Sequence, residues 1–99
     1  MATYVSLLNW TDQGIRNFRD TVDRARKAAD LAQSMNVNFR EIYWTLGPYD
    51  VVGILEAPDD ESATAFALAL GSLGNVRTTS LRAFSAEEMD GIIQRAPSG

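Results

Sequence analysis

The chain has 99 residues, enough for one domain with a modest core, and its 45% hydrophobic and 22% charged residues are ordinary for a globular protein. Its net charge of −4 argues against nonspecific nucleic-acid binding, because such binding neutralises phosphates with Lys and Arg. The sequence contains neither cysteine nor histidine, which excludes disulfides, thiol nucleophiles, Cys/His zinc sites and a Ser-His-Asp triad, so we expect no metal and no cofactor.

The chain begins with a strand and a long helical pattern. Thr3 to Trp10 is β-branched or apolar at nearly every position, which is typical of a strand buried on both faces. A candidate helix cap follows at Thr11 or Asp12, and the helix is expected to break or bend near Arg19-Asp20 and to end near Met35. Its apolar residues recur at steps of three and four and predict the buried face. They are Ile15, Phe18, Val22, Ala25, Ala29 and Ala32.

Charged residues occupy the other side of this helix. Arg24, Arg26 and Lys27 form a local basic group, but three aspartates interleave with them. Mixed signs of this kind are typical of a solvated helix face, so we do not interpret the group as a nucleic-acid site. The aspartates are Asp20, Asp23 and Asp30.

Two more strands follow, joined by a tight turn. Asn38 to Leu46 predicts the second strand, and Gly47-Pro48 gives the turn because proline cannot donate to a sheet ladder. Asp50 to Ala57 predicts a third strand that is apolar on both faces. Alternation in the second strand places its residues on two faces. Ile42, Trp44 and Leu46 lie on one face, and Phe39, Tyr43 and Thr45 lie on or near the other.

The remaining sequence predicts a helix, a strand and a short final helix. Pro58 to Ser62 combines a proline with acidic residues, which marks a helix start, and Gly71 or Gly74 marks its end. Asn75 to Phe84 predicts the fourth strand. Ser85 to Glu88 is a capping box that opens a helix through about Gln94. We expect one domain at 1–95 and a short flexible tail at 96–99.

The order β-α-β-β-α-β with a terminal helix predicts an α+β, ferredoxin-like fold, whose antiparallel sheet has the strand order 4-1-3-2. Two helices can cover only one face of this sheet, yet the first and third strands are apolar on both sides. An exposed apolar face of that size usually marks an interface. We therefore expect two copies to pair through their sheets as a dimeric α/β barrel.

Three segments resemble a known family: LLNWTDQG, GPYDVVGILEAPDD and ALGSLGNVRTTSLRAF. They are similar to the GYD domain family, whose Gly-x-Tyr-Asp signature corresponds here to Gly47-Pro48-Tyr49-Asp50. The resemblance runs from Tyr4 to about Ile93 and implies a place in the dimeric α/β-barrel superfamily. It implies little about activity, because the family is largely uncharacterised. The superfamily includes cofactor-independent monooxygenases, haem-degrading enzymes, lactone isomerases, polyketide cyclases and effector-binding domains, and analogy to these is associational.

The predicted topology brings distant polar and aromatic residues to one rim of the sheet. The end of the first strand, the hairpin before the third and the start of the fourth all lie at the same end. The candidate ligand-binding residues at this rim are Asn9, Trp10, Trp44, Tyr49, Asp50 and Arg77. Asp50 and Tyr49 are also the candidate catalytic residues, since any proton transfer must use Asp, Glu, Tyr, Lys or Arg.

Each candidate has a functional and a structural interpretation. Asp50 could be a general base, or a carboxylate that accepts turn N–H groups or pairs with Arg77. Tyr49 could donate to a substrate oxygen, or be a half-buried strand aromatic. Trp10 and Trp44 could stack on a planar ligand, or anchor the core or an interface. For all four residues the structural interpretation is the more frequent one in proteins.

Three functions fit this pattern. We prefer a homo-oligomeric module that binds a small planar or apolar ligand, because no residue set forms a recognisable catalytic constellation. The second is a cofactor-independent enzyme of the monooxygenase, isomerase or cyclase type, in which the substrate supplies much of the reactivity. The third is a structural or accessory protein without a ligand, whose sheet face binds itself or a partner.

The N-terminal residues MATYVSLLNW lack the basic start and the long apolar stretch of a signal peptide. No apolar run in the sequence is long enough to span a bilayer. We therefore expect a cytoplasmic protein with no membrane partner.

Overall fold

The computed structural model describes residues 1–98. Strands and helices follow one another as the sequence predicts, except that the first helix is divided in two. The strands are β1 (Ala2–Trp10), β2 (Asn38–Trp44), β3 (Val51–Ala57) and β4 (Val76–Ala83). The helices are α1 (Asp12–Arg16), α2 (Thr21–Ser34), α3 (Asp60–Ser72) and α4 (Ala86–Arg95). The predicted tail at 96–99 ends in Gly99, which lies outside the described residues.

The four strands form one antiparallel sheet in the order β2-β3-β1-β4, which confirms the predicted order read from the opposite edge. Side chains alternate between the two faces along β1. Tyr4, Ser6 and Leu8 are buried under the helices, whereas Val5 and Leu7 are only half-buried on the other face. We call that second side the open face, since no helix of the described chain covers it.

A bulge in β2 corrects the predicted faces of that strand. The pairing of β2 with β3 shifts by one residue between Phe39 and Glu41, so that Arg40 has no partner in the register. An extra residue reverses the alternation on one side of the bulge. Phe39 therefore lies on the helix-covered side with Ile42 and Trp44, and the prediction that placed Phe39 opposite them was wrong.

The first helix breaks where the sequence predicted a bend, and the break changes which residues are buried. A 3₁₀ turn at Phe18–Asp20 separates α1 from α2, and a helical stripe cannot continue in phase across such a turn. Ile15, Phe18 and Val22 are 49%, 48% and 46% exposed, so their predicted burial was wrong. The buried residues of α2 are Ala28 and Ala32, which face the sheet.

The core lies under α3 and the C-terminal half of α2. Phe66 of α3 is 2% exposed, and its ring meets the ring of Phe39 edge to face at a centroid distance of 5.6 Å. Such aromatic pairs add to the free energy gained by burying their surface. The buried members of the cluster are Tyr4, Ala32, Val37, Leu55, Ala57, Ala63 and Phe66.

Local capping explains where the helices begin. The Asp59 carboxylate accepts the Ser62 N–H at 2.8 Å, which starts α3. The Ser62 side chain, followed by this backbone hydrogen bond, holds the pKa of Asp59 below its ordinary value. Ser85 and Glu88 form the predicted capping box at the start of α4. Helix α3 ends before Gly74, whose φ of +86° is a conformation that favours glycine.

Helix α4 extends the molecule without burying any of its residues. Its apolar residues Met89 and Ile93 are 46% and 57% exposed, and the neighbouring Phe84 is 50% exposed. The radius of gyration is 15.2 Å, whereas a compact domain of this length has about 13 Å. The apolar side of α4 is therefore without a partner among residues 1–98.

Candidate functional site

A cavity of about 530 Å³ opens between α2, the end of α3 and the helix-covered side of the sheet. Its floor is formed by the ends of the strands at the predicted rim, and its walls by α2 and α3. This volume is within the range of small-molecule sites in proteins. The apolar lining residues are Leu8, Trp10, Ala25, Ala28, Leu31, Phe39, Ile42, Trp44, Val51, Leu70, Leu73 and Val76.

Both tryptophans of the chain line this cavity. The Trp44 indole Nε1–H donates to the Thr21 Oγ1 at 2.9 Å, which links β2 to the first turn of α2 at the side of the cavity. Trp10 ends β1, where its residue pairs with Val76 of β4. The two predicted aromatic candidates are thus brought to one site, although they are far apart in sequence.

The rim beside the cavity is held by hydrogen bonds between α1 and the connection from α3 to β4. The Thr11 N–H donates to the Asn75 carbonyl at 3.1 Å, and the Thr11 hydroxyl donates to the Gly74 carbonyl at 2.5 Å. Gly14 permits this approach, because a Cβ at that position would lie 2.0 Å from the Asn75 carbonyl oxygen. A larger residue at position 14 would therefore push α1 away from β4.

Two cationic side chains of α2 line the cavity, and Arg24 departs from the predicted solvated face, whereas Lys27 is exposed as predicted. Arg24 is half-buried, and its guanidinium donates to the carbonyls of Asn17 and Gly14 at 2.6 and 3.2 Å. Lys27 also lines the cavity, one turn further along. Arg26 behaves as predicted, since it is exposed and pairs with Asp23 at 3.1 Å.

Asp50 lies next to Trp10 but does not line the cavity. Its Oδ2 accepts the Trp10 N–H at 2.9 Å, and its own N–H donates to the Leu8 carbonyl at 2.9 Å. Its carboxylate therefore ties the end of β1 to the start of β3, as a structural interpretation requires. Tyr49 is half-buried beside it, and its carbonyl accepts the Thr45 hydroxyl at 2.6 Å.

Asn9 and Arg77 lie on the open face, directly opposite each other on β1 and β4. The predicted ion pair between Arg77 and Asp50 is absent from the ion pairs of residues 1–98, so that pairing was wrong. β1 lies between the two strands, which puts their backbones roughly 10 Å apart, and the Asp50 carboxylate already accepts the Trp10 N–H. The residues predicted at one rim therefore lie on two faces of the sheet. Trp10 and Trp44 lie on the helix-covered side, and Asn9 and Arg77 lie on the open face.

Sequence reasoning missed the residues that α2 and the α3–β4 connection contribute to the cavity. They are Thr21, Arg24, Lys27, Ala28, Leu31 and Leu73. A signal was present, because Thr21, Arg24, Ala28 and Leu31 recur at steps of three and four along one side of α2. That signal was concealed because one apolar stripe was followed from Ile15 across the bend, which placed the buried side at other residues.

A second polar cluster lies at the opposite end of the sheet. The buried Tyr4 hydroxyl donates to the Asp60 carboxylate at 2.5 Å, and the Arg82 guanidinium carbon lies 5.6 Å from the Tyr4 ring centre. Burial, followed by the hydrogen bond to Asp60 and its charge, raises the pKa of Tyr4 to about 12. Arg82 also pairs with Glu88 at 3.7 Å, which joins β4 to α4. This cluster is a structural connection between sheet and helices.

Two further features are absent from the part of the chain that the structure describes. No group of three or more Asp or Glu residues is placed to hold a metal ion within residues 1–98. No helix in the same range combines the length and apolarity needed to cross a membrane.

Comparison with known proteins identifies the family. The model of the GYD domain matches residues 4–93. The chain belongs to the GYD domain family. The match spans β1 to α4 and therefore includes the cavity, the open face and the Gly47-Pro48-Tyr49-Asp50 signature.

This GYD domain is similar to proteins of Thermus thermophilus. One relative is named "Glutamine synthetase and cystathionine beta-lyase binding protein"; it is 30% identical over 90 residues, which are 90% of this chain and 95% of the relative. The crystal structure of TTHA0845 from the same organism is 25% identical, with a TM-score of 0.58 over 87% of this chain and 96% of that one. The GYD fold assigned here thus agrees with a solved structure.

Proposed function

We propose that this GYD domain is a homo-oligomeric module that binds a small, planar, apolar ligand in the cavity between its sheet and its helices. The observation that carries the proposal is the cavity itself, about 530 Å³ in volume and lined mainly by apolar side chains, with both tryptophans among them. Binding sites for small molecules are usually concave and apolar, with a few polar groups that fix orientation.

The lining favours binding over catalysis. Among the described residues that line the cavity, none is a carboxylic acid or a tyrosine, and the titratable side chains there are the cations Arg24 and Lys27. Asp50 and Tyr49, the candidates for proton transfer, lie at the adjacent hairpin and do not line the cavity, and the Asp50 carboxylate accepts the Trp10 N–H. A cofactor-independent enzyme on this scaffold would need its substrate to reach them.

The open face supports the homo-oligomeric part of the proposal. Val5 and Leu7 of β1, Val52 and Ile54 of β3 and Leu81 of β4 form its apolar centre. Asn9, Arg77, Glu41 and Glu56 surround that centre. An apolar centre with a polar rim is the usual composition of a protein interface.

The ligand site is tested by filling it. Ala28 is buried in the cavity wall, so Ala28→Leu places a larger apolar side chain inside the site. We expect neutral naphthalene derivatives to quench tryptophan fluorescence of the wild type and to bind about tenfold more weakly to Ala28→Leu. Ala65→Leu, on the exposed side of α3, is the matched control. Equal binding to all three proteins would contradict the site.

The dimer is tested by charging the open face. Ile54→Glu introduces a carboxylate at its centre, and we expect light scattering to show a dimer for the wild type and a monomer for this variant. Ala65→Glu adds the same charge on the exposed side of α3 and is expected to stay dimeric. A monomeric wild type at micromolar concentration would contradict the pairing.

A protein-binding accessory role is the second candidate, and α4 favours it. Met89, Ile92 and Ile93 form an apolar side on α4 that nothing in residues 1–98 buries, and a relative is named for binding two metabolic enzymes. Such partners would place the protein in the cytoplasm. We expect purified glutamine synthetase or cystathionine β-lyase to bind the wild type in biolayer interferometry. Ile93→Asp should abolish this binding, and the neighbouring Gln94→Asp should retain it; no binding by the wild type would remove this candidate.

A further inference from the structure

The charged groups of the cavity wall carry one sign. Arg24 and Lys27 are the charged residues among its lining, although the chain as a whole has a net charge of −4. Asp20 and Asp23 do not line the cavity; they line an adjoining polar depression that shares Arg24, Lys27 and Asn75 with it, and Asp23 pairs with Arg26. Arg24 and Lys27 therefore lie between the apolar cavity and the solvent.

Arg24 and Lys27 differ in what they contact. The Arg24 guanidinium is held by the carbonyls of Asn17 and Gly14, which fixes it across the junction of α1 and α2. Lys27 makes no ion pair with any acidic residue in the described range 1–98. An ammonium group beside an apolar wall interacts more strongly with an anion than it would in bulk water, because the local dielectric constant is lower.

Asn75 adds a neutral hydrogen-bond donor at the mouth of the cavity, beside the two cations. The Gln13 Nε2 donates both to the Leu73 carbonyl at 3.2 Å and to the Asn75 side chain at 2.9 Å. A carbonyl can only accept, so the Gln13 atom is a nitrogen, and the Asn75 atom facing it must be its oxygen. The Nδ2 of Asn75 is then without an acceptor among residues 1–98. Lys27 and Asn75 line both the cavity and the adjoining polar depression, so their N–H groups are within reach of a ligand at the border between the two.

We infer that the ligand of this cavity is a planar aromatic monoanion, with its rings between Trp10, Trp44 and Ala28 and its carboxylate at Lys27 and Asn75. This inference rests on the proposed ligand-binding function and adds the charge of the ligand. An aromatic carboxylate matches both parts of the site, because its rings replace water against the apolar wall and its oxygens accept from the N–H groups at the mouth.

Matched probes separate the charge of the ligand from its shape. 2-Naphthoate and 2-naphthamide have the same rings and nearly the same size, but only the first is an anion. Because Trp10 and Trp44 are the two tryptophans of the chain and both line the cavity, quenching of intrinsic fluorescence reports occupancy directly. We expect 2-naphthoate to bind about tenfold more tightly than 2-naphthamide at low salt. This preference should shrink as salt screens the cations.

Two variants that change the net charge by the same amount show which residue causes the preference for 2-naphthoate. Lys27→Gln should reduce the preference for 2-naphthoate to about twofold or less, because it removes the free ammonium and keeps a polar side chain. Arg26→Gln, next along α2 but outside the cavity lining, should leave the preference at about tenfold. Circular dichroism and the unfolding midpoint confirm that each variant is folded.

The outcomes distinguish the two proposals. Equal affinities of the wild type for both naphthalenes would overturn the anionic ligand and leave the cavity as a ligand site. Equal losses in Lys27→Gln and Arg26→Gln would also overturn it, because the preference would then come from overall charge. If neither compound quenches tryptophan fluorescence or shifts the unfolding midpoint, both the anionic ligand and the planar-ligand function fail.

Discussion

The helix-covered side of the sheet is filled at one end and hollow at the other. At the filled end, Phe66 reaches down from α3 and packs against Phe39, so that the space between the layers is closed. At the hollow end, α2 presents Ala25 and Ala28 opposite the side chains of the strands, and the space stays open. The space between the helices and the sheet is thus a packed core where α3 contributes a phenylalanine. It is an open cavity where α2 contributes alanines.

The largest expected effect comes from emptying the filled end. Phe66→Ala removes a side chain that is 2% exposed, and it should lower the free energy of unfolding by about 3–5 kcal/mol. Leu73→Ala at the hollow end should lower it by less than about 1 kcal/mol, because Leu73 is 59% exposed. Urea denaturation followed by circular dichroism measures both. Equal losses would show that the two ends do not differ in packing.

The next largest effect on stability is expected at the contact between α1 and the Asn75 backbone, which borders the hollow end. Gly14→Ala places a methyl group in contact with the Asn75 backbone, and it should cost about 1–3 kcal/mol and weaken ligand binding. Gly71→Ala is the control, because nothing lies within 4 Å of a Cβ there and the residue is inside α3. That change should stabilise the protein by about 0.5–1 kcal/mol in thermal unfolding. A tolerated Gly14→Ala would mean that α1 and β4 can separate freely.

A smaller effect is expected at the signature residue Asp50. Asp50→Ala removes the acceptor of the Trp10 N–H, and it should cost about 1 kcal/mol of stability. Ligand affinity should fall only modestly, since Asp50 does not line the cavity. Asp20→Ala, which removes the same charge, is the control. Loss of binding in Asp50→Ala with unchanged stability would instead support a functional carboxylate.

The last prediction concerns Tyr4, whose contribution to stability changes with pH in alkaline solution. Its pKa is raised to about 12 in the folded protein, against an ordinary value near 10 in the unfolded chain, so the folded state holds the proton more tightly. This contribution is complete below pH 10 and is lost as the pH rises from about 10 to 12.

Substitution isolates that contribution. Tyr4→Phe should flatten this part of the stability curve between pH 10 and 12, as measured by urea denaturation at each pH, whereas Tyr43→Phe on the exposed side of β2 should not. A curve of unchanged slope in Tyr4→Phe would contradict the raised pKa of Tyr4.

Much of the fold could be predicted because it depends on local patterns. The strand order, the capping box at Ser85 and the convergence of Trp10 and Trp44 at one rim follow from periodicity and topology. Phe39 was placed on the wrong face because a bulge adds one residue without leaving a mark in the apolar pattern.

The candidate site was predicted only in part, because a cavity depends on the distance between layers. Alternation separates neighbouring residues onto two faces, and Asn9 and Trp10 accordingly lie on opposite sides of β1 although they share a rim. Lys27 was missed because its surroundings are set by the separation of α2 from the sheet, which no local pattern records. Asp50 of the Gly-x-Tyr-Asp signature makes a structural contact, because its carboxylate connects the start of β3 to the end of β1.

The bulge at Arg40 has a consequence for how the protein associates. β2 and β4 are the two edges of the sheet, and a regular edge can recruit a strand from another chain and so begin fibre growth. The bulge interrupts the free N–H and C=O groups of β2, and Arg40 and Glu41 place charges beside it. On β4, Arg77 and Arg82 place charges at the other edge. Growth by adding strands is thereby discouraged at both edges, which leaves the open face as the surface for the proposed pairing of two copies.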